Sequence, residues 1–240
     1  MSIRDLSHYS LLTTHYSLLK MSSHHIVREK QEPALLIANG EGCSFELLGQ
    51  LLEWSPFIVV LDHAIHRVLD LGIKVDVLLG DFDRNVDFDE ILARQYPLEI
   101  APTPDQDKTD LEKGIEFLIE RGFPAVNIVW ATGRRADHSI TNLTNIVRYK
   151  DQIKIVLLDD HSKVFPLVGT FEKWYAEGTP ISLVPVGTVE GITTEGLKYN
   201  LQADELKLGY RSGNSNEAAA DGFVKISAQS GDLLIMECWD

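Results

Sequence analysis

The chain has 240 residues, 36 of them acidic against 22 basic, for a formal net charge of −14 at pH 7. So acidic a balance excludes nucleic-acid binding driven by phosphate neutralisation, while a nucleotide held through a divalent cation stays compatible with it. No run approaches the roughly 20 apolar residues of a membrane span, so a cytoplasmic protein without membrane attachment is expected; Cys43 and Cys238 are too few and too far apart for a disulfide framework or a zinc site.

Residues 1–30 read as a disordered leader. Within them His8-Tyr9-Ser10-Leu11-Leu12-Thr13-Thr14 is followed by the near copy His15-Tyr16-Ser17-Leu18-Leu19-Lys20-Met21. Its Leu pairs are too short for a signal peptide and no small-residue cleavage site follows. Residues 1–20 are expected to be an appended leader, with the working chain starting near Met21.

From Ala34 to about Leu158 short apolar runs alternate with amphipathic windows, the signature of a parallel α/β layer. The runs 35–38, 57–61, 75–79, 126–131 and 153–158 are expected strands, short and mostly apolar, as expected where helices cover both faces. A helix is expected from Asp110, where Leu111, Ile115, Leu118 and Ile119 share one face behind a Thr109/Glu112 capping box. A second is expected from Asp137, carrying Ile140, Leu143, Thr144 and Val147. After about Asp160 the chain turns to short β-rich pieces with Gly and Pro (181–186, 197–201, 223–227, 233–236), which reads as a β-sandwich or small barrel. The fold class is thus α/β: an N-terminal parallel, Rossmann-like layer over 31–160, followed by a C-terminal all-β sandwich domain over 165–240.

Three polar segments fall where a strand or loop gives way to a helix, the edge at which open α/β sheets bind ligands. In Gly80-Asp81-Phe82-Asp83 the two carboxylates share a face and repel unless a cation lies between them, for which Mg²⁺ is the expected ion. In Asp105-Gln106-Asp107-Lys108-Thr109-Asp110, capping accounts for Thr109 and Asp110 but not for the crowding of Gln106, Asp107 and Lys108. Lys108 could contact a phosphate, and Asp110 could complete a metal site begun by Asp81 and Asp83. In Gly133-Arg134-Arg135-Ala136-Asp137-His138 the glycine would let both arginines approach a polyphosphate, with Asp137 orienting an arginine or capping its helix. Neither GxxxxGK[ST] nor GxGxxG occurs, so phosphate binding must be built another way.

In this order and spacing the segments resemble those of the thiamine pyrophosphokinase family. Thr194-Glu195-Gly196-Leu197-Lys198-Tyr199 and Ser212-Gly213-Asn214-Ser215-Asn216-Glu217 resemble that family's β-domain motifs, so the likeness spans residues 34–237. The resemblance implies a homodimer that transfers pyrophosphate from Mg-ATP to the thiamine hydroxyl and releases AMP. It implies a catalytic, nucleotide-binding domain at 31–160 and a thiamine-binding, dimerising domain at 165–240. It makes Asp81, Asp83 and Asp110 the metal and catalytic carboxylates. Asn39, Asp62, Lys108, Thr109, Arg134, Arg135, Asp137 and His138 would bind the nucleotide, and Gln106 and Asp107 the substrate. Ser215 and Asn216 would belong to the thiamine side, reaching across the dimer.

The chain leaves the family pattern at two places: Asp62-His63-Ala64-Ile65 replaces a DGG-type turn, and Ile235 stands where an aromatic against thiamine is frequent, with Trp239 a candidate substitute. Other readings are a haloacid-dehalogenase-like phosphohydrolase, which usually carries Thr or Val where Asn85 stands, a pyrophosphokinase of another small alcohol, and a thiamine- or nucleotide-binding homologue without turnover.

Overall fold

The computed structural model describes residues 33–82 and 87–239. The expected leader and Asp83 lie outside the described residues.

Six strands build the first half: β1 (Ala34–Ile37), β2 (Ile58–Leu61), β3 (Val77–Gly80), β4 (Glu99–Pro102), β5 (Ala125–Val129) and β6 (Lys154–Leu158). They pair in parallel in the order β4-β3-β2-β1-β5-β6. The order reverses between β1 and β5, and a crevice at the carboxyl ends of the strands is expected at such a switch point.

Among the described residues five α-helices cover the two faces: α1 (Phe45–Leu52), α2 (Ala64–Asp70), α3 (Phe88–Gln95), α4 (Asp110–Glu120) and α5 (Ala136–Asn145), the last running on into a 3₁₀ turn, Ile146–Tyr149. Strand alternation assigns the faces. Leu36 of β1 joins Leu111, Ile115 and Leu118 of α4 in one core, while Leu35 and Ile37 join Leu48, Ile65, Val68 and Ile91 of α1, α2 and α3 in the other. Both cores exclude water almost completely, and each such Leu or Ile contributes roughly 1.5–3 kcal/mol by leaving solvent.

The chain then turns back. β7 (Ser162–Pro166) pairs antiparallel with β6 and on its other edge with β13 (Ser230–Cys238), the last strand of the chain. The sheet continues through β9 (Pro180–Glu195), β12 (Gly222–Ser227) and β8 (Phe171–Tyr175), with β10 (Asp204–Lys207) and β11 (Gly213–Glu217) also paired to β9. β9 lies against β13 over its first part and against β12 at its end. Gly187 (φ +80°) falls at the register shift in its pairing with β13 and Gly191 (φ +64°) between that pairing and the one with β12, a backbone freedom that lets one strand serve both partners. Ile181, Leu183, Val224, Ile226, Leu233 and Ile235 close a third core.

This is the α/β layer followed by antiparallel β structure that the sequence predicts, with one correction among its pieces. Residues 197–201 form no strand. Leu197 makes a single bridge to Ala218, and the side chain of Asn200 accepts the Leu197 N–H at 3.1 Å, closing a turn instead.

Candidate active site

A cleft of about 460 Å³ opens at the switch point. β1 delivers Asn39 and Gly40 to it, β2 delivers Asp62, and β3 delivers Asp81. The loop before α4 adds Gln106, Lys108 and Thr109, and the first turn of α4 adds Asp110. Gly133, Arg134 and Arg135 follow β5, and α5 contributes His138 and Asn142.

One wall is acidic. Gly80, with no side chain, lets the next strand's turn pack against it: a Cβ there would stand 3.1 Å from the Cβ of Asp62. Asp62 sits at φ +36°. Its Oδ2 lies 3.2 Å from His63 Nε2, and its buried Oδ1 has no hydrogen-bond partner among the described residues. Burial pushes the Asp62 carboxyl above the usual aspartate range; His63 pulls it down, and the charges of Asp110 and Asp81 push it up again. Gln106 Nε2 donates to Asp81 Oδ2 at 3.1 Å. Asp110 receives Lys113 Nζ at 3.4 Å, a lysine that is itself buried.

The other wall is cationic and rests on a rigid helix start. Thr109 Oγ accepts the Glu112 N–H at 3.3 Å, and Glu112 Oε2 accepts the Thr109 N–H at 3.0 Å, the reciprocal box that fixes the first turn of α4. Lys108 Nζ donates to Glu116 at 2.8 Å, and Tyr149 donates to the other oxygen of Glu116 at 3.0 Å. That hydrogen bond raises the lysine's pKa and keeps it charged. Arg135 forks onto Asp137 at 3.1 and 2.5 Å, which holds the Asp137 carboxyl down at about 2. Gly133 (φ +73°) and Arg134 (φ +55°) turn the chain sharply between β5 and α5; a side chain at Gly133 would run into Glu41. Ser139 Oγ ties the turn to its helix by donating to the carbonyls of Gly133 at 3.2 Å and Arg135 at 3.0 Å.

A cation fits the acidic wall by its donor set. An orphaned buried carboxylate oxygen on Asp62 and the mutual repulsion of Asp62, Asp81 and Asp110 are both relieved by a hard ion with oxygen ligands. Among the described residues no three such groups stand close enough to form a closed metal site.

The cleft thus brings together ten sequence-predicted positions: Asn39, Asp62, Asp81, Gln106, Lys108, Thr109, Asp110, Arg134, Arg135 and His138. Asp107 and Asp137 lie off its lining; Asp107 donates its N–H to Asp105 at 2.8 Å in a local turn, and Asp137 serves Arg135. Ser215 and Asn216 sit on β11, away from this cleft. Asn216 is buried and occupied: its Oδ1 accepts from Tyr199 N–H and Glu217 N–H, and its Nδ2 donates to the Tyr199 carbonyl at 2.8 Å. Ile235 is fully buried in the third core, and Trp239, half-exposed, donates Nε1 to the Asp160 carbonyl at 2.5 Å. Sequence reasoning missed Gly40, Lys113 and Asn142. The Asn-Gly-Glu-Gly run after β1 was the available signal for the first, and nothing distinguishes the other two from ordinary helix residues.

The chain is similar to known proteins along most of its length. Residues 48–157 match the family model described as thiamin pyrophosphokinase, catalytic domain, and residues 170–233 match thiamin pyrophosphokinase, vitamin B1 binding domain. The chain is 25% identical to Thiamin pyrophosphokinase 1 of Caenorhabditis elegans over 92% of its own length and 96% of that protein's. It is 29% identical to the Bacillus subtilis thiamine pyrophosphokinase over 72% of its length and 82% of the relative's. The crystal structure of the Bacillus subtilis enzyme superposes with a TM-score of 0.72 at 25% identity, covering 86% of this chain and 99% of that one. The yeast thiamin pyrophosphokinase structure superposes at 0.73 with 16% identity, covering 89% and 88%, a likeness of fold. With both family models matched in order along the chain and the site assembled at the switch point, the chain belongs to the thiamin pyrophosphokinase family of transferase enzymes.

Proposed function

We propose that the cleft binds ATP and thiamine and transfers the pyrophosphoryl group of ATP to the thiamine hydroxyl. The observation that carries this reading is the gathering in one crevice of the carboxylates Asp62, Asp81 and Asp110 with the cations Lys108, Arg134 and Arg135. In the reaction the hydroxyl oxygen bonds to the β-phosphorus, the bond from that phosphorus to the α–β bridging oxygen breaks, and AMP leaves. A carboxylate of the acidic wall accepts the hydroxyl proton. Charge gathers on the phosphate oxygens in the transition state, so fixed cations on preorganised turns lower the barrier more than any covalent step would. Arg135, locked to Asp137, and Lys108, locked to Glu116, are such fixed cations.

Asp81 and Asp110, with Asp83, would hold a divalent ion, Mg²⁺ by its preference for oxygen. When bound it supplies charge neutralisation on the polyphosphate. Gln106 meets the alcohol in the cleft with Asp107 behind it in the same loop, and Ser215, on a strand tied down by the buried Asn216, acts from the β-rich half of a second subunit in a homodimer. A cytoplasmic setting is part of this proposal; the described helices include none long and apolar enough to cross a membrane. Residues 31–160 then act as the catalytic unit and 165–240 as the thiamine-binding and dimerising unit.

The test is product analysis with Mg²⁺, ATP and thiamine. AMP and thiamine diphosphate should appear in equal amounts; free phosphate released without thiamine would make the protein a hydrolase instead. In the same assay Asp83→Asn should lower turnover at least ~100-fold, and near wild-type activity would remove Asp83 from the site.

A further inference from the structure

Arg67 lies on α2 and does not line the cleft, yet it touches both loops that do. Its Nη1 donates to the Gly40 carbonyl at 2.7 Å, and its guanidinium carbon stands 4.2 Å from the centre of the Trp130 ring. Gly42 leaves room for the group: a Cβ there would be 2.7 Å from Nη2. Trp130 is 3% exposed and holds the left-handed backbone (φ +57°) that ends β5.

The peptides between these loops are fixed from both sides. Gly40 N–H donates to the Trp130 carbonyl at 2.5 Å, and Glu41 N–H donates to the Thr132 carbonyl at 2.8 Å. In a trans peptide the carbonyl points opposite to the N–H that follows it. The Gly40 carbonyl, opposite Glu41 N–H, is the one Arg67 holds. The Asn39 carbonyl, opposite Gly40 N–H, is therefore turned away from Trp130, and Arg134 Nη1 approaches it at 3.5 Å. One guanidinium thus sets the plane of the Gly40–Glu41 peptide and braces the ring behind its neighbour. A lysine could keep the charge but not the planar fork that donates and stacks at once.

We propose that Arg67 is a positioning residue for the nucleotide: acting through Gly40 and Trp130, it sets the backbone of the Asn39–Glu41 turn and its spacing from Arg134. The inference deepens the reading of this cleft as an ATP site and rests on it for the nucleotide. The test uses the full chain with Arg67→Lys and Arg67→Met. Amide exchange at Gly40 and Glu41, followed by NMR without ligands, should speed up by about tenfold in Arg67→Lys, as for one lost charge-assisted hydrogen bond, while core amides of β2 and β3 keep their wild-type rates. Steady-state kinetics should show KM for ATP raised about tenfold and KM for thiamine within twofold of wild type. Unchanged exchange at the two amides, or equal rises in both KM values, would overturn the proposal. Should Arg67→Met fail to fold, Arg67→Lys decides alone. A wild-type chain that turns over no ATP would sink the ATP reading, and the exchange measurement would still decide whether Arg67 braces the turn.

Discussion

Asp62 meets His63 through one carboxylate oxygen, at 3.2 Å, and buries the other without a hydrogen-bond donor among the described residues. A buried acceptor left in this way costs stability, and here it belongs to a residue that lines a cleft. The expense makes sense where a bound cation removes it.

Asp62→Asn follows from that cost. The Asp62 carboxyl is raised above its ordinary 3.8, first by burial and then by Asp110 and Asp81. For a raised acid, folding is unaffected below the ordinary value and loses stability as pH climbs through the folded value, because the folded state resists ionisation. In chelator at pH 7 the Asn variant should therefore melt higher than wild type, and by about pH 3 the two should coincide. With Mg²⁺ added, wild type should gain more than the variant. A lower melting temperature for the variant in chelator would show that Asp62 is satisfied in the free protein.

Asp110→Asn separates the helix role of this residue from its chemical one. As a first-turn acid it contributes roughly 0.3–1 kcal/mol to α4 through the helix dipole, and as the partner of the buried Lys113 about 1–3 kcal/mol more, so the variant should fold with a loss of a few kcal/mol at most. As a carboxylate of the cleft it should matter to the rate of the folded enzyme, with kcat down at least ~100-fold. Thermal melts and initial rates on the same sample check both; a rate loss that vanishes once rates are scaled to the folded fraction would return Asp110 to its structural role alone.

Gly114→Ala sets two effects against each other. Alanine gains about 1 kcal/mol of helix propensity in the middle of α4. Its Cβ would stand 2.9 Å from one methyl of Leu36 and 3.1 Å from a methyl of Leu61, and overpacking costs roughly 1–3 kcal/mol. Leu36 is wholly buried beneath the helix and has little room to withdraw, so overpacking should win by about 1 kcal/mol in urea unfolding. A stabilised variant would mean that β1 and α4 can part more easily than their packing implies.

Glu237→Gln probes the β-rich half. Glu237 is 8% exposed and gathers the Tyr175 hydroxyl at 2.5 Å, Lys173 at 2.8 Å and Lys163 at 3.8 Å. Burial pushes its carboxyl up, but these donors and charges outweigh it and hold the group below its ordinary 4.5. A lowered acid stabilises folding above the ordinary value and loses that stability as pH falls through the folded one. Because the lysines are partly in water, the loss in Gln should be modest, about 2 kcal/mol at pH 7. It should shrink on acidification below about pH 4, and a pH-independent difference would assign it to packing.

The sequence carries α4 almost in full, since its apolar stripe and its Thr109/Glu112 box are both local, and the box forms as the pattern implies. The five expected strands of the parallel layer are also present, because strands covered on both faces are mostly apolar. β4 escapes that logic. At the sheet's edge, Glu99, Ile100, Ala101 and Pro102 stay partly exposed and carry no apolar run. The site divides along the same line. Asp81, Lys108 and Arg135 are legible because polar groups cluster in sequence, whereas Arg67 reads as a helix surface residue until the fold sets Trp130, 63 positions later in the numbering, beneath it. Asn216 shows the converse: its motif stands out in sequence, and within the chain its amide is consumed by Tyr199 and Glu217.

The pairing of β7 with β13 also sets an order of events at the ribosome. All six parallel strands have been synthesised by Leu158, so that layer has its partners early. β7 follows within a few residues, but its outer neighbour β13, ending at Cys238, is made only after β8 to β12. Until then Phe165 and Pro166 present an open edge, the kind of surface on which chains associate wrongly. A stop codon that removes β13 would leave that edge bare and take Leu233 and Ile235 out of the third core. Loss of β13, none of whose residues lines the cleft, would then cost the protein its solubility before its chemistry.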